Sequence, residues 1–147
     1  MPNYKPGLGN VGSYQVSGYP WVTGSTGLIR DAEDAINFPR VAKSVTIINA
    51  DAANQDIQVH YNSISDSGDV ITGSHYVLLN SALTSISLST KCRQIFISAP
   101  VANDGVASYT VIADLTSIES GLMQPLTGAG LTCTGTADLI CPYLGIG

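Results

Sequence analysis

Positive charge is scarce in this chain, and charge of either sign is sparse. Among its 147 residues only 12% are Asp, Glu, Lys or Arg, about half of the roughly 25% that is usual. Six Lys and Arg residues stand against eleven Asp and Glu residues, which leaves a net charge of −5. Because six scattered cations cannot neutralise a run of phosphates, we expect no nucleic-acid partner and no binding to an anionic membrane surface.

Long apolar runs and closely paired cysteines are missing as well. No apolar stretch reaches the roughly 20 residues of a membrane-spanning helix, and residues 1–13 lack the apolar core of a secretory signal. The three cysteines, Cys92, Cys133 and Cys141, include no CxxC pair, which leaves a zinc site without support. Their odd number favours free thiols, although a bridge between Cys133 and Cys141 stays open.

Apolar and polar residues alternate over short segments, and this pattern predicts strands. In segment 57–63, Ile57, Val59 and Tyr61 fall on one face, while His60 falls on the polar face. Further strands are predicted at 19–23, 28–30, 44–49, 70–72, 75–79, 83–88, 94–98 and 106–115, with a short edge segment at 36–38 that ends at Pro39. Asn103-Asp104-Gly105 is typical of a hairpin turn. Segment 26–36 keeps a helical alternative, because its acidic residues suit a first helical turn.

Short strands at intervals of about 8–12 residues predict an all-β fold, an antiparallel β-sandwich of the jelly-roll-like kind. Composition divides the chain into an extended N-terminal arm (1–18), a β-sandwich domain (19–118) and a C-terminal tail (119–147). The two end segments are rich in Gly and nearly free of charge, yet they contain large apolar side chains that would be sticky if exposed.

These end segments are therefore expected to be covered, either by the chain's own sandwich or by neighbouring subunits, and we favour the subunits. The scarcity of Lys, which commonly protects strand edges, likewise favours a homo-oligomer. The predicted interface residues are Tyr4, Leu8, Val11 and Tyr14 in the arm and Leu122, Met123, Leu126, Leu131 and Tyr143 in the tail.

Residue types that support catalysis are few, and a structural interpretation is favoured for each. His60 and His75 are interpreted as surface or edge histidines. Cys92 stands between two cations that would lower a thiol pKa, but we favour a strand-end cysteine that packs inward. No G-x-S-x-G nucleophile elbow is present. We therefore predict no catalytic residue and a protein that is not an enzyme.

Two motifs resemble ligand sites without the context that such sites need. The string Gly7-x-Gly9-x-x-Gly12 matches a dinucleotide-binding motif, but no strand precedes it and no helix follows it. Asp66 and Asp69 are spaced for a weak calcium site, yet a solvated turn is the favoured interpretation. The sequence thus predicts neither a cofactor nor a metal.

The opening of the chain resembles small virion structural proteins of tailed bacteriophages, those of cyanobacterial phages in particular. The resemblance rests on residues 2–18, Pro20 and 23–25, with further stretches at 36–39, 45–49, 57–60, 91–92, 95–100 and 127–132. The opening is the specific part, and residues 133–147 have no counterpart. What the resemblance implies is a particle component without catalytic activity, which coats the capsid, sits at the neck or forms part of the tail.

We therefore expect a capsid decoration or cement protein that stabilises the head shell, with the major capsid protein as its partner. It would reside in the virion, assembled in the host cytoplasm. One alternative is a tail, neck or baseplate component. Another is a glycan-binding module, for which exposed aromatic residues are needed and Tyr19, Trp21 and Tyr76 are the candidates.

Overall fold

A computed structural model describes residues 18–61 and 76–123, which form an antiparallel β fold with no α-helix among them. The strands are β1 (Tyr19–Leu28), β2 (Glu33–Asn49), β3 (Ile57–His60), β4 (Val77–Leu79), β5 (Ser85–Leu88), β6 (Cys92–Ser98) and β7 (Ala107–Glu119), and a 3-10 turn (Ser120–Leu122) follows. The predicted all-β, antiparallel, sandwich-like fold is confirmed. Most of the arm, the segment 62–75 and most of the tail lie outside the described residues.

The long strand β2 organises the sheet. The strand order is β1-β7-β2-β6-β3-β4, and β5 also pairs with β2. β7 runs along one edge of β2, from Arg40 to Asn49. On the other edge, the first part of β2 pairs with β6 and its last part pairs with β5. Two short strands therefore extend the sheet from different halves of one long strand.

Segment 36–38 is not the short edge strand that was predicted, because β2 continues through Pro39 in the middle of the sheet. Proline lacks the N–H that a central strand donates. The ladder with β6 is interrupted between Asn37 and Ala42, and the ladder with β7 begins only at Arg40. Pro39 thus occupies an irregular stretch where neither neighbour needs its backbone nitrogen.

The helical alternative for segment 26–36 is wrong. β1 extends to Leu28, and the chain reverses at Asp31, which adopts a left-handed φ of 59°. The Asp31 N–H donates to the carbonyl of Ala99, and Ala32 and Ala99 are also hydrogen-bonded through their backbones. These contacts fix a tight turn between β1 and β2, so a helix has no room to form.

The Asn103-Asp104-Gly105 turn does not close a hairpin. The strands on either side of it, β6 and β7, are not paired with each other; each pairs with β2, on opposite edges. The segment between Ala99 and Val106 therefore crosses from one edge of β2 to the other. The hydrogen-bonded turn of this connection lies one step earlier, where the Asn103 N–H donates to the Pro100 carbonyl, and Asp104 and Gly105 form a bend after it. The prediction of a hairpin turn at 103–105 is therefore wrong.

The main core lies on one face of the sheet. Along β2 and β7 every second side chain points into it, and Val45, Ile47, Val111 and Ala113 are fully buried. Burying a side chain of this size stabilises a fold by about 1.5–3 kcal/mol. All strands except β5 contribute buried residues to this cluster, and β5 packs partly against it through Ile86 and Leu88.

A second, smaller cluster forms where β7 ends. Val41, Ile118 and Met123 are buried together. The hydroxyl of Thr116 donates to the carbonyl of Val41 at 2.8 Å, and the hydroxyl of Ser120 donates to the carbonyl of Phe38. The residues that follow β7 are thereby held against β2.

Candidate functional site

The outward side chains of β1, β7, β2 and β5 form a flat surface, which we call the Val22 face. Register places them in rows across the strands. The central row is Val22, Ile112, Thr46 and Ser87; one neighbouring row is Pro20, Asp114 and Ser44; the other is Gly24, Thr110, Ile48 and Ser85. Directly opposite residues of antiparallel strands project from the same side of a sheet, so these eleven positions share one surface.

The Val22 face is apolar at its centre and almost uncharged. Val22 and Ile112 are paired across β1 and β7, and they are 63% and 38% exposed. Asp114 is the one ionisable residue among the rows, and the Ser44 hydroxyl donates to its carboxylate at 2.8 Å. Thr46 and Ser87 are hydrogen-bonded to each other at 2.8 Å. Two pairs of polar side chains are thus hydrogen-bonded to each other across neighbouring strands.

The composition of this face is unusual for its position. The outward face of an antiparallel sheet is commonly solvated and polar, and Lys is a frequent protector of exposed sheets and edges. Here eight of the eleven outward positions hold β-branched or hydroxyl residues. They favour the strand conformation but leave a surface with little to discourage contact with another protein.

Gly24 brings β1 close to β7 at the border of this face. A methyl group at Gly24 would lie 2.6 Å from the carbonyl oxygen of Tyr109, a distance that real side chains do not tolerate. By contrast, a methyl group at Gly27 would meet nothing within 4 Å. Close approach of the two backbones therefore requires glycine at position 24.

Two of the predicted interface residues fall within the described part of the chain, and they differ in exposure. Leu122 is 56% exposed. Met123 is only 8% exposed, because it packs against Val41 and Ile118 of its own chain. Its side chain therefore offers little area to a neighbour. The other seven lie outside the described residues: Tyr4, Leu8, Val11, Tyr14, Leu126, Leu131 and Tyr143.

The aromatic residues proposed for glycan binding do not form one platform. Trp21 packs edge-on against Phe38, with ring centroids 5.4 Å apart, and it rests on the main core. Tyr19 is exposed, and the guanidinium of Arg40 lies over its ring at 5.4 Å. Tyr76 precedes β4, at the opposite end of the strand order from β1.

His60 is not the surface or edge histidine that was predicted, since it is buried, with 3% of its surface exposed. Its position on the polar face of β3 was predicted correctly, but that face is covered as well. The ring stacks on Phe96, with centroids 6.0 Å apart and planes inclined by 13°. Alternation tells which face a residue occupies, and it cannot tell whether that face meets water. His75, by contrast, lies outside the described residues.

His60, Ser98 and Glu33 have the composition of a catalytic triad but a different geometry. His60 Nε2 lies 2.9 Å from Ser98 Oγ and 3.8 Å from Glu33 Oε2. In a triad the serine and the carboxylate meet opposite ring nitrogens, whereas both groups here lie beside Nε2. Ser98 also donates its hydroxyl proton to Gln58 Oε1 at 3.3 Å. That proton is therefore not directed at a base, and the cluster joins β2, β3 and β6 structurally.

Cys92 lies inside the main core, as the favoured interpretation predicted. Burial raises the pKa of its thiol to about 12. The neighbouring cations, Lys91 and Arg93, do not offset this effect. The thiolate is the reactive form of cysteine, so burial disfavours the reactive form of Cys92. Cys133 and Cys141, the Gly7–Gly12 motif, and the pair Asp66 and Asp69 lie outside the described residues.

Residues 18–61 and 76–123 contain no group of three or more side chains arranged to hold a metal ion. In the same part of the chain, no helix is long and apolar enough to cross a membrane. A comparison with known protein families, curated proteins and solved structures finds no match. The Val22 face is consequently the feature of the described residues that best supports a functional interpretation.

Sequence reasoning did not single out the Val22 face. Val22 and Ile112 are 90 positions apart, and only the pairing of β1 with β7 brings them together. The available signal was indirect: hydroxyl residues on the outward positions of the strands and few lysines to guard them.

Proposed function

We propose that this chain is a structural protein that docks on another protein subunit through the Val22 face. The observation that carries the proposal is a sheet surface four strands wide, with exposed Val22 and Ile112 at its centre and Asp114 as its one ionisable residue. The cores of protein interfaces are depleted in charged residues in the same way.

The physical gain from docking is the removal of apolar surface from water. Covering Val22 and Ile112 contributes a hydrophobic gain of about 25 cal/mol for each Å² of apolar surface buried, and the entropic cost of association reduces the net stability of the complex. The hydroxyls of Thr46 and Ser87 cost little to cover, because they already hydrogen-bond each other. Asp114 lies in a neighbouring row and is exposed, so its carboxylate suits the polar, solvent-accessible rim of an interface. Asp114 is the one ionisable residue in the three rows, so charge repulsion between two acidic partners would be small there.

The assembly that we propose is a bacteriophage virion, in which the chain lies on the head shell as a decoration or cement protein. The resemblance of residues 2–18 to small phage virion proteins supports this choice. Copies that also contact one another, as in the expected homo-oligomer, would bind a symmetric shell through several interfaces at once, and linked interfaces of modest strength give strong overall binding. A position in the tail, neck or baseplate would use the same face and differs only in its neighbours.

Purified virions of the phage that encodes the chain test this proposal. We expect mass spectrometry to detect the chain in the particles, and Val22→Asp to reduce its incorporation at least tenfold, because a charge would be buried without a partner. Val101→Asp is the matched control, since Val101 is 67% exposed in the connection between β6 and β7 and lies off the face.

Circular dichroism and thermal unfolding check that both variants keep the fold. Equal incorporation of Val22→Asp and Val101→Asp would exclude the Val22 face as the docking surface. Absence of the wild-type chain from the virions would exclude the virion assignment. Detection on tails and not on heads would move the protein to the alternative location.

A further inference from the structure

Asp104 and Gly105 form a dipeptide that is chemically vulnerable in proteins. The backbone nitrogen of the glycine can attack the side-chain carboxyl carbon of the aspartate. A C–N bond then forms, a C–O bond breaks and one water molecule leaves, which gives a five-membered imide. Water opens this ring at either carbonyl and restores aspartate or produces isoaspartate, in which the main chain runs through the side-chain carbon. Glycine permits the attack most readily because it has no side chain to obstruct it.

One side chain contacts both reacting groups of this dipeptide. Gln55 Nε2 donates to Asp104 Oδ1 at 2.7 Å, and the Gly105 N–H donates to Gln55 Oε1 at 3.2 Å. A carboxylate only accepts and a backbone N–H only donates, so this is the one orientation of the Gln55 amide that satisfies both groups. The nucleophile and the electrophile are held by opposite ends of the same amide.

Gln55 is itself firmly placed. It is buried, and its backbone carbonyl accepts a 2.7 Å hydrogen bond from the side-chain amide of Asn49. Asn49 is also buried, and the same amide donates to the backbone carbonyl of Leu79. In the connection between β6 and β7, the Asn103 side-chain amide accepts a hydrogen bond from the Asp56 N–H and donates one to the Asp56 carbonyl. The two Asn103–Asp56 bonds join the two loops directly beside the Gln55 contact.

Glycine at position 105 leaves room for this contact. A methyl group there would lie 3.1 Å from Gln55 Nε2, closer than is comfortable unless Gln55 moves. The residue that makes room for the Gln55 amide is thus the same residue that makes the dipeptide reactive. The dipeptide is therefore shielded from the reaction only while the Gln55 amide stays in place.

We propose that Gln55 protects the Asp104–Gly105 dipeptide from isoaspartate formation. The attack requires a free backbone nitrogen and a carboxyl group that can turn toward it. Gln55 holds both the Gly105 nitrogen and the Asp104 carboxylate, so these two hydrogen bonds must break before the dipeptide can react. This inference concerns the ageing of the folded chain and does not depend on the proposed docking function.

The full-length protein, incubated for weeks at 37 °C and neutral pH, tests the proposal. Isoaspartate at Asp104 is measured by methylation with protein isoaspartyl methyltransferase and by peptide mapping. We expect Gln55→Met, which keeps the length of the side chain without its polar atoms, to raise the rate about tenfold, as expected for an opening equilibrium that loses two hydrogen bonds. Asn54→Ala is the control, because Asn54 contacts Asp51 and not Asp104.

A second variant and a peptide keep the test independent of folding problems. Gln55→Glu preserves the size and the acceptor oxygen, but its ionised carboxylate cannot donate to Asp104 and repels it, so at a pH above the titration of both carboxyls it should also accelerate the reaction. Folding of each variant is checked by circular dichroism. The proposal fails if folded Gln55 variants react at the wild-type rate, or if the wild-type chain reacts as fast as a synthetic peptide of residues 99–109.

Discussion

The hydroxyl of Tyr109 donates a 2.7 Å hydrogen bond to the carboxylate of Asp34 inside the sandwich. Tyr109 lies on β7 and Asp34 lies near the start of β2, at a point where β2 pairs with β6 and not with β7. The bond therefore joins two parts of the sheet that no backbone ladder connects. Burial and the neighbouring carboxylate both raise the pKa of Tyr109 well above its usual value, so the tyrosine stays neutral and remains a donor.

Tyr109→Phe should destabilise the fold. The substitution keeps the ring in the core but leaves the Asp34 carboxylate without this donor, and a hydrogen bond to a charged group contributes about 1.5–3 kcal/mol. We expect chemical denaturation to show a loss of this size in the free energy of unfolding. Tyr19→Phe is the control, because Tyr19 lies at the surface. Equal stability of the two variants would contradict the role given to the bond.

Gly24→Ala should loosen the pairing of β1 with β7. The new methyl group would meet the Tyr109 carbonyl oxygen at 2.6 Å, and overpacking of this kind costs about 1–3 kcal/mol. Gly27→Ala, on the same strand, meets nothing within 4 Å and should stay within about 0.5 kcal/mol of wild type. Thermal unfolding of the two variants measures the difference, and a Gly27 effect as large as that at Gly24 would refute the steric argument.

Much of the sheet was predictable because strand signals are local. Segments 44–49, 83–88, 94–98 and 106–115 all overlap observed strands, and the serines and apolar residues of β5 alternate as expected. The length of β2 was not predictable. A proline ordinarily ends a strand. Pro39 is accommodated because the ladder with β6 is interrupted between Asn37 and Ala42 and the ladder with β7 begins only at Arg40.

The candidate site was less predictable than the strands, because it depends on register. Val22 and Ile112 lie in separate strand segments, and nothing local shows that they are neighbours. His60 illustrates the complementary limit: the period of two placed it on the correct face, but its burial depends on contacts with Phe96 and Ser98 on another strand.

Asn49→Ala should destabilise the fold more than any surface asparagine does. The Asn49 amide donates to the carbonyls of Gln55 and Leu79 in the buried interior, and removing it leaves both carbonyls without that donor. A buried polar group that loses its partner costs about 1–3 kcal/mol. Asn54→Ala, which breaks one exposed contact with Asp51, should change stability by less than about 0.5 kcal/mol. Urea denaturation distinguishes the two, and similar midpoints would contradict this ranking.

The buried thiol of Cys92 should make the fold sensitive to mild alkali. Burial raises its folded-state pKa to about 12, whereas the pKa of a free cysteine is about 8.5. Above that lower value the unfolded chain releases a proton that the folded chain keeps, so stability is complete below about pH 8.5 and falls as the pH rises. The loss should reach about 1–2 kcal/mol between about pH 8 and pH 10. Denaturation curves of wild type and Cys92→Ala across this window test it: the slope with pH should be shallower in the variant, and identical slopes would show that Cys92 does not titrate on unfolding.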